Sequence, residues 1–172
     1  SPALPPRAAR SAAGGAKCWG HNTNGQLGDN STNRRIAAVD VAGLAGGASM
    51  IAAGGHHTCV LTTAGGVKCW GNNGSGQLGD GSTAQRLTAV DVLGLSSGVS
   101  AIATGAFHTC ALVASGGLKC WGRNLEGQLG DGSTTQRLTA IDVSGLSSGV
   151  SAIATGNTNT CALTASGGVK CW

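Results

Sequence analysis

Cysteine is the residue type in this chain whose placement says most about chemistry. Cys59 and Cys69, Cys110 and Cys120, and Cys161 and Cys171 form three couples of equal separation, each with a Gly-Gly doublet inside it. In a tight hairpin that spacing sets the two members opposite each other, where paired Cβ atoms lie close to the span of a disulfide. Buried free thiols are the alternative. Zinc would want close C-x2-C pairs joined to a second such pair, and that pattern is absent, so no metal is expected. Each bridge would close a loop of about 11 residues, worth about 2–3 kcal/mol by chain entropy. Cys18 is left over, because Ala8 stands where its partner would be.

The other chemistry-bearing residues lead to weaker readings. His56 and His57 could begin a metal site, but no carboxylate or cysteine recurs beside them, and the later copy carries Asn157 and Asn159. Asp29, Asp80 and Asp131 open Asp-Gly/Asn-Ser-Thr stretches, which suit a turn whose Asp side chain bonds nearby backbone N–H groups. A calcium loop would need oxygen ligands at several alternating positions. Gly76-Gln77-Leu78-Gly79-Asp80-Gly81 lacks the Lys-Ser/Thr and the following helix of a phosphate loop. Arg86 and Arg137 are expected to bond loop backbone or Asp, and Trp70 and Trp121 to wedge between sheets. No nucleophile–base pair stands out, so the chain reads as a non-enzyme with no cofactor.

These residues are positioned by an internal repeat. The Cys-Trp pairs Cys18-Trp19, Cys69-Trp70, Cys120-Trp121 and Cys171-Trp172 recur at a constant step of 51 residues. The stretches 69–119 and 120–170 agree at about 40 of 51 places, the mark of a repeat architecture. Residues 14–64, 65–115 and 116–166 are the units, and 167–172 starts a fourth. Residues 1–13 are Pro, Ala and Arg without a period and are expected to be a disordered or degenerate end. Each unit offers four short strands, in the middle copy Val67–Trp70, Leu87–Val92, Val99–Thr104 and Thr109–Val113. All are bounded by Gly, Ser, Asn or Asp clusters. The Cys couples fall on a hairpin such as Ala165-Ser166-Gly167, with Gly168 expected to take positive φ.

Composition narrows the class further. The chain has 31 glycines, 3 prolines and a formal net charge of +4. The glycines hold fixed places in the period without a collagen repeat. Short Val, Ile, Leu and Cys runs argue against plain disorder. The four lysines occupy one repeated strand position and form no basic stripe, so nucleic acid is not an expected partner. No apolar run is long enough for a membrane span. No signal peptide is in view, and the only methionine is Met50, so the chain reads as a piece of something longer.

Four antiparallel strands per unit read as one propeller blade, so the fold is all-β, a partial propeller of about three blades. Three motifs carry a closer likeness: Gly65-Gly66-Val67-Lys68-Cys69-Trp70-Gly71, Gly76-Gln77-Leu78-Gly79, and Ile102-Ala103-Thr104-Gly105 with His108-Thr109-Cys110-Ala111-Leu112. Over about residues 14–172 the chain resembles the regulator of chromosome condensation repeat family, more narrowly its bacterial, cysteine-containing branch. The resemblance implies a seven-bladed propeller in the parent protein. It also implies functions known in the family: nucleotide exchange on a small GTPase, chromatin binding, or, in a secreted bacterial relative, β-lactamase inhibition. Exchange depends on surface elements outside the repeat phrase and is not carried over to particular residues. Three blades cannot close a ring, so self-association through open blade faces is expected. A disulfide set would place the parent protein in an oxidising compartment, secreted or on the cell surface.

Strand alternation puts the loop around Ala106-Phe107-His108 and the loop Arg123-Asn124-Leu125-Glu126 on one side, and the Gly-Gly turns on the other. The copies differ mainly on the first side. There the candidate partner-binding residues are His56, His57, Asn72, Asn73, Ser75, Phe107, His108, Arg123, Leu125, Glu126, Asn157 and Asn159. Loops on a rigid scaffold are where binding usually resides, although loops also drift when nothing constrains them. A protein partner gripped on this rim is the expected function, with GTPase exchange and hydrolase inhibition as alternatives. Digestion of non-reduced protein followed by mass spectrometry should link Cys110 to Cys120; finding both thiols free in material from an oxidising compartment would remove the disulfide reading.

Overall fold

The structure is a computed structural model that describes residues 7–172. Its strands are β1 (Arg7–Arg10), β2 (Ala16–Gly20), β3 (Arg35–Asp40), β4 (Ala48–Ala53), β5 (His57–Thr62), β6 (Val67–Gly71) and β7 (Arg86–Asp91). They continue with β8 (Val99–Thr104), β9 (His108–Val113), β10 (Leu118–Gly122), β11 (Arg137–Asp142), β12 (Val150–Thr155), β13 (Thr160–Thr164) and β14 (Val169–Cys171). No helix occurs among the described residues. The strands form four antiparallel sheets in chain order: β1-β2-β3, β4-β5-β6-β7, β8-β9-β10-β11 and β12-β13-β14. Of the first strands of the last three sheets, β8 touches both β4 and β12, so the sheets fan outward from that side. This is the all-β blade architecture expected from the four short runs per unit.

The sheets are out of phase with the sequence units. Strands β4 and β5 precede the boundary at 64/65, while β6 and β7 follow it. Each boundary therefore falls at the tip of a central hairpin: β5–β6, β9–β10 or β13–β14. In these hairpins Cys59 faces Cys69, Cys110 faces Cys120 and Cys161 faces Cys171, with Cα atoms 4.1 Å apart, and all three couples are bridged. The turn chemistry differs in one detail. Gly167, not Gly168, takes the left-handed conformation, at φ 86°. The N–H of Gly167 donates to Thr164 and that of Thr164 to Gly168, which closes the turn one residue earlier.

The expected disordered end is corrected for residues 7–13. Arg7–Arg10 forms β1 and pairs with β2 along its whole length, with Ala8 opposite Cys18. A β ladder is made by backbone groups, so losing the cysteine does not cost the strand. The rest of that expectation, residues 1–6, lies outside the described residues.

The apolar cores lie between sheets. Trp121 packs against Cys59, Cys69, Leu78 and Val92 of the preceding sheet, and Trp70 against Cys18, Leu27 and Val41 of the sheet before that. The central strands β5 and β9 are buried on both faces, which explains why their sequences do not alternate polar with apolar. Gly79 shows how closely the sheets approach. It sits at φ 69°, and a Cβ there would lie 2.7 Å from Trp121 Nε1.

Ala8 and Cys18 share the register of the three bridged couples. Ala8→Cys should therefore form a fourth bridge to Cys18 under oxidising refolding and raise stability by about 2–3 kcal/mol. Thermal unfolding with and without reductant reads this; a reductant-insensitive melting temperature in the variant would contradict the register.

Candidate functional site

Each long loop leading into the last strand of the first three sheets is a knot of hydrogen bonds. Asn73 donates through Nδ2 to Asp80 (3.0 Å) and to the Ser82 carbonyl (3.0 Å), while its Oδ1 accepts the N–H of Leu78 (3.0 Å). Asp80 accepts from the Ser82 N–H, the Ser82 hydroxyl and Arg86 Nε. Asn22, Asp29 and Arg35 repeat this arrangement, as do Asn124, Asp131 and Arg137. Burial works against charge on Asp131. The Arg137 guanidinium, the Ser133 hydroxyl and N–H, and Asn124 outweigh it and hold the carboxyl down at about 2. The Asp turns and the Arg partners are thus the structural devices their spacing suggested.

The knots present Gln77 so that its carbonyl reaches the next sheet, where Trp121 Nε1 (3.0 Å) and the Thr109 hydroxyl (2.9 Å) both donate to it. Gln26 receives Trp70 and Thr58 in the same way, and Gln128 receives Trp172 and Thr160. His57 extends the tie, its Nε2 lying 2.8 Å from the Thr109 hydroxyl oxygen; His108 and Thr160 repeat the contact at 3.0 Å. The single hydroxyl proton of Thr109 is committed to Gln77, so His57 Nε2 carries hydrogen and donates. Its Nδ1 is buried without a partner, as is that of His108. A second proton there would have no acceptor. Burial, with lesser repulsion from His108 and His56, accordingly pushes the His57 pKa down to about 3, and burial takes His108 to about 4.

Three of the candidate rim residues are therefore corrected: His57, His108 and Asn73 are fully buried and hold the scaffold rather than face a partner. Asn72 and Ser75 are half-buried. Asn72 Oδ1 accepts from Gln77 Nε2 (2.7 Å), and the Ser75 N–H donates to Gln77 Oε1 (2.9 Å). Leu125, Glu126, Asn157 and Asn159 are exposed, and His56, Phe107 and Arg123 are half-buried.

His56, Phe107 and Arg123 come together. The rings of His56 and Phe107 stack with centroids 4.9 Å apart, and the Arg123 guanidinium lies 5.9 Å from the Phe107 centroid. A cavity of about 610 Å³ opens beside them, lined also by Gly55, Asn157 and Thr158. Arg123 stands where the other copies have His21 and Asn72. Those two serve structure: His21 Nδ1 accepts from Gln26 Nε2 at 3.0 Å, as Asn72 does from Gln77. Arginine has no acceptor, and Gln128 Nε2 is left buried without a partner. An orphaned buried amide costs about 1–3 kcal/mol. The internal comparison of His21, Asn72 and Arg123 with their Gln partners is the signal that could have singled out Arg123 from the sequence. No group of three or more His, Cys, Asp or Glu side chains forms a metal site among the described residues.

The histidines make stability fall in acid. They stay neutral in the folded chain but recover a pKa near 6.5 when unfolded, so the unfolded state binds more protons below that value. Their contribution is fully present above pH 6.5 and is lost as pH falls toward 4 for His108 and 3 for His57, each adding a slope of up to about 1.4 kcal/mol per pH unit. Denaturant unfolding of His57→Asn/His108→Asn should show a flatter profile between pH 4 and 6.5 than the parent chain; an identical profile would refute the assignment.

Comparison with known proteins agrees with this architecture. Two family models of the regulator of chromosome condensation (RCC1) repeat match the chain, one at residues 14–61 and 115–163, the other at 51–77 and 99–128. The chain is 33% identical over 162 residues to the ultraviolet-B receptor UVR8 of Arabidopsis thaliana, covering 92% of this chain and 37% of that protein. It is 36% identical over 155 residues to the human probable E3 ubiquitin-protein ligase HERC4, covering 88% of this chain and 15% of the relative. It thus spans well under half of these relatives. Among solved structures, human WBSCR16 superposes with a TM-score of 0.86 at 22% identity, over 98% of this chain and 45% of the other. Prp20p of Saccharomyces cerevisiae superposes at 0.82 and 21% identity, over 100% and 44%. The Trp–Gln ties between sheets, the repeated loop knots and the matched repeat models together place this chain in the regulator of chromosome condensation (RCC1) repeat family.

Proposed function

We propose that the chain is a non-enzymatic interaction module that grips a protein partner on the rim formed by the loops around His56, Phe107, Leu125, Glu126, Asn157 and Asn159. The observation that carries this reading is the division of labour within those loops. The Asn–Asp–Arg knot and the Gln carbonyl repeat from copy to copy, while the exposed positions between them change. Arg123 adds weight, because it sits at a place where it leaves the Gln128 Nε2 donor without a partner. It gains only a loose contact over Phe107 and an exposed ion pair with Glu126, and a residue that breaks a local rule for so little points to a site kept for another reason. Protein binding also suits the structural neighbours: Prp20p binds Gsp1p and histones, and yeast RCC1 (Prp20) has been solved with Kap60 bound to it.

The three bridged cysteine couples are compatible with an extracellular setting, and we place the parent protein outside the cell or on its surface for that reason. Exchange on a small GTPase and inhibition of a secreted hydrolase are the competing activities. Cross-linking in a native extract, read by mass spectrometry, should place partner links on residues 54–56, 105–107, 123–126 and 156–159. Links confined to the opposite turns at 63–66, 114–117 and 143–149 would sink the rim. Accelerated nucleotide release from any of a panel of small GTPases would replace this reading with exchange.

A further inference from the structure

The cavity beside Phe107 is shaped by a change of residue along the array. His56, Phe107 and Thr158 occupy the same position in three successive units, so the stack that begins with two rings stops at a small side chain. The open space of about 610 Å³ lies there. It is within the range of small-molecule sites, about 300–1,000 Å³, and far larger than one inserted side chain needs. The wall offers the Phe107–His56 stack as a flat apolar surface. Among the described residues no carboxylate lines the cavity, and Arg123 is the one formally charged side chain that does.

Arg123 is also available. Arg35, Arg86 and Arg137 are each hydrogen-bonded to an Asp of their own loop. The Arg123 side chain makes no hydrogen bond to any described residue, and its Nε is buried without a partner. It forms one loose, exposed ion pair, with Glu126 at 3.7 Å, longer than a hydrogen bond and open to exchange for another carboxylate. A planar fork 5.9 Å over an aromatic ring, held only by a solvent-exposed ion pair, matches a carboxylate carried on a flat ring.

We infer that this cavity binds a planar aromatic carboxylate of one or two rings, its ring against Phe107 and its carboxylate on the Arg123 guanidinium. The inference concerns a small molecule and does not require the protein partner proposed above.

The test uses the whole chain with 2-naphthoate as probe, and 2-naphthamide and 2-naphthylmethylamine as neutral and cationic controls, followed by NMR shifts of rim residues. Saturable shifts at Phe107, Arg123 and Thr158 are expected with the carboxylate, at least tenfold weaker for either control. Arg123→Asn should weaken binding at least tenfold and, by restoring an acceptor to Gln128, raise the melting temperature. Phe107→Thr, which copies the residue at Thr158, should weaken binding without that rise. Absence of saturable shifts, equal binding of the amide, or unchanged affinity in Arg123→Asn would each overturn the proposal. So would a lower melting temperature in Arg123→Asn, because it would mean that arginine serves structure there.

Discussion

One carbonyl per unit holds the sheets together. Gln26, Gln77 and Gln128 each offer a backbone oxygen that accepts an indole N–H and a threonine hydroxyl from the following sheet. Both lone pairs of a buried acceptor are thereby used, in a region that excludes water. The rest follows from the need to present that oxygen in one place. The Asn–Asp–Arg knot fixes the loop, and the glycine before each Asp gives the tryptophan room to lie flat. The tryptophan then covers the bridged or free cysteine of the sheet before it. Apolar burial supplies the bulk of the driving force, but the carbonyl sets the spacing at which it happens.

Much of this was legible in the sequence, for physical reasons that can be named. The 51-residue step and the short runs bounded by Gly, Asn and Asp revealed the strand content, because turn residues punctuate strands strongly. Equal cysteine spacing revealed the hairpin register, since side chains in a ladder must face their partners. The phase of the sheets was less visible: dividing the chain at the Gly-Gly doublet is natural by eye, yet that doublet is the tip of a hairpin inside one sheet. Arg7–Arg10 was missed as a strand because the missing cysteine and the prolines before it drew attention from the backbone, which needs neither.

On the proposed rim the sequence separates variable loops from constant turns but does not say which side chains they expose. Asn73, His57 and His108 look like any polar loop residue in one dimension. The burial of the two histidines depends on the neighbouring sheet, whose Thr109 and Thr160 lie 52 residues beyond His57 and His108. Arg123 was marked only as variable. Its significance appears when Gln128 is seen to lack the acceptor that His21 and Asn72 supply elsewhere.

The placement of the cystine hairpins across the unit boundaries bears on how such a chain can change in length. A duplication or loss of one whole 51-residue segment within residues 59–171 would join a half-sheet to its proper complement. The new junction would find its opposite thiol, its waiting carbonyl and its indole already at the correct separation. Such a change of length preserves the strand register of every remaining hairpin, while each added copy brings a further set of rim loops.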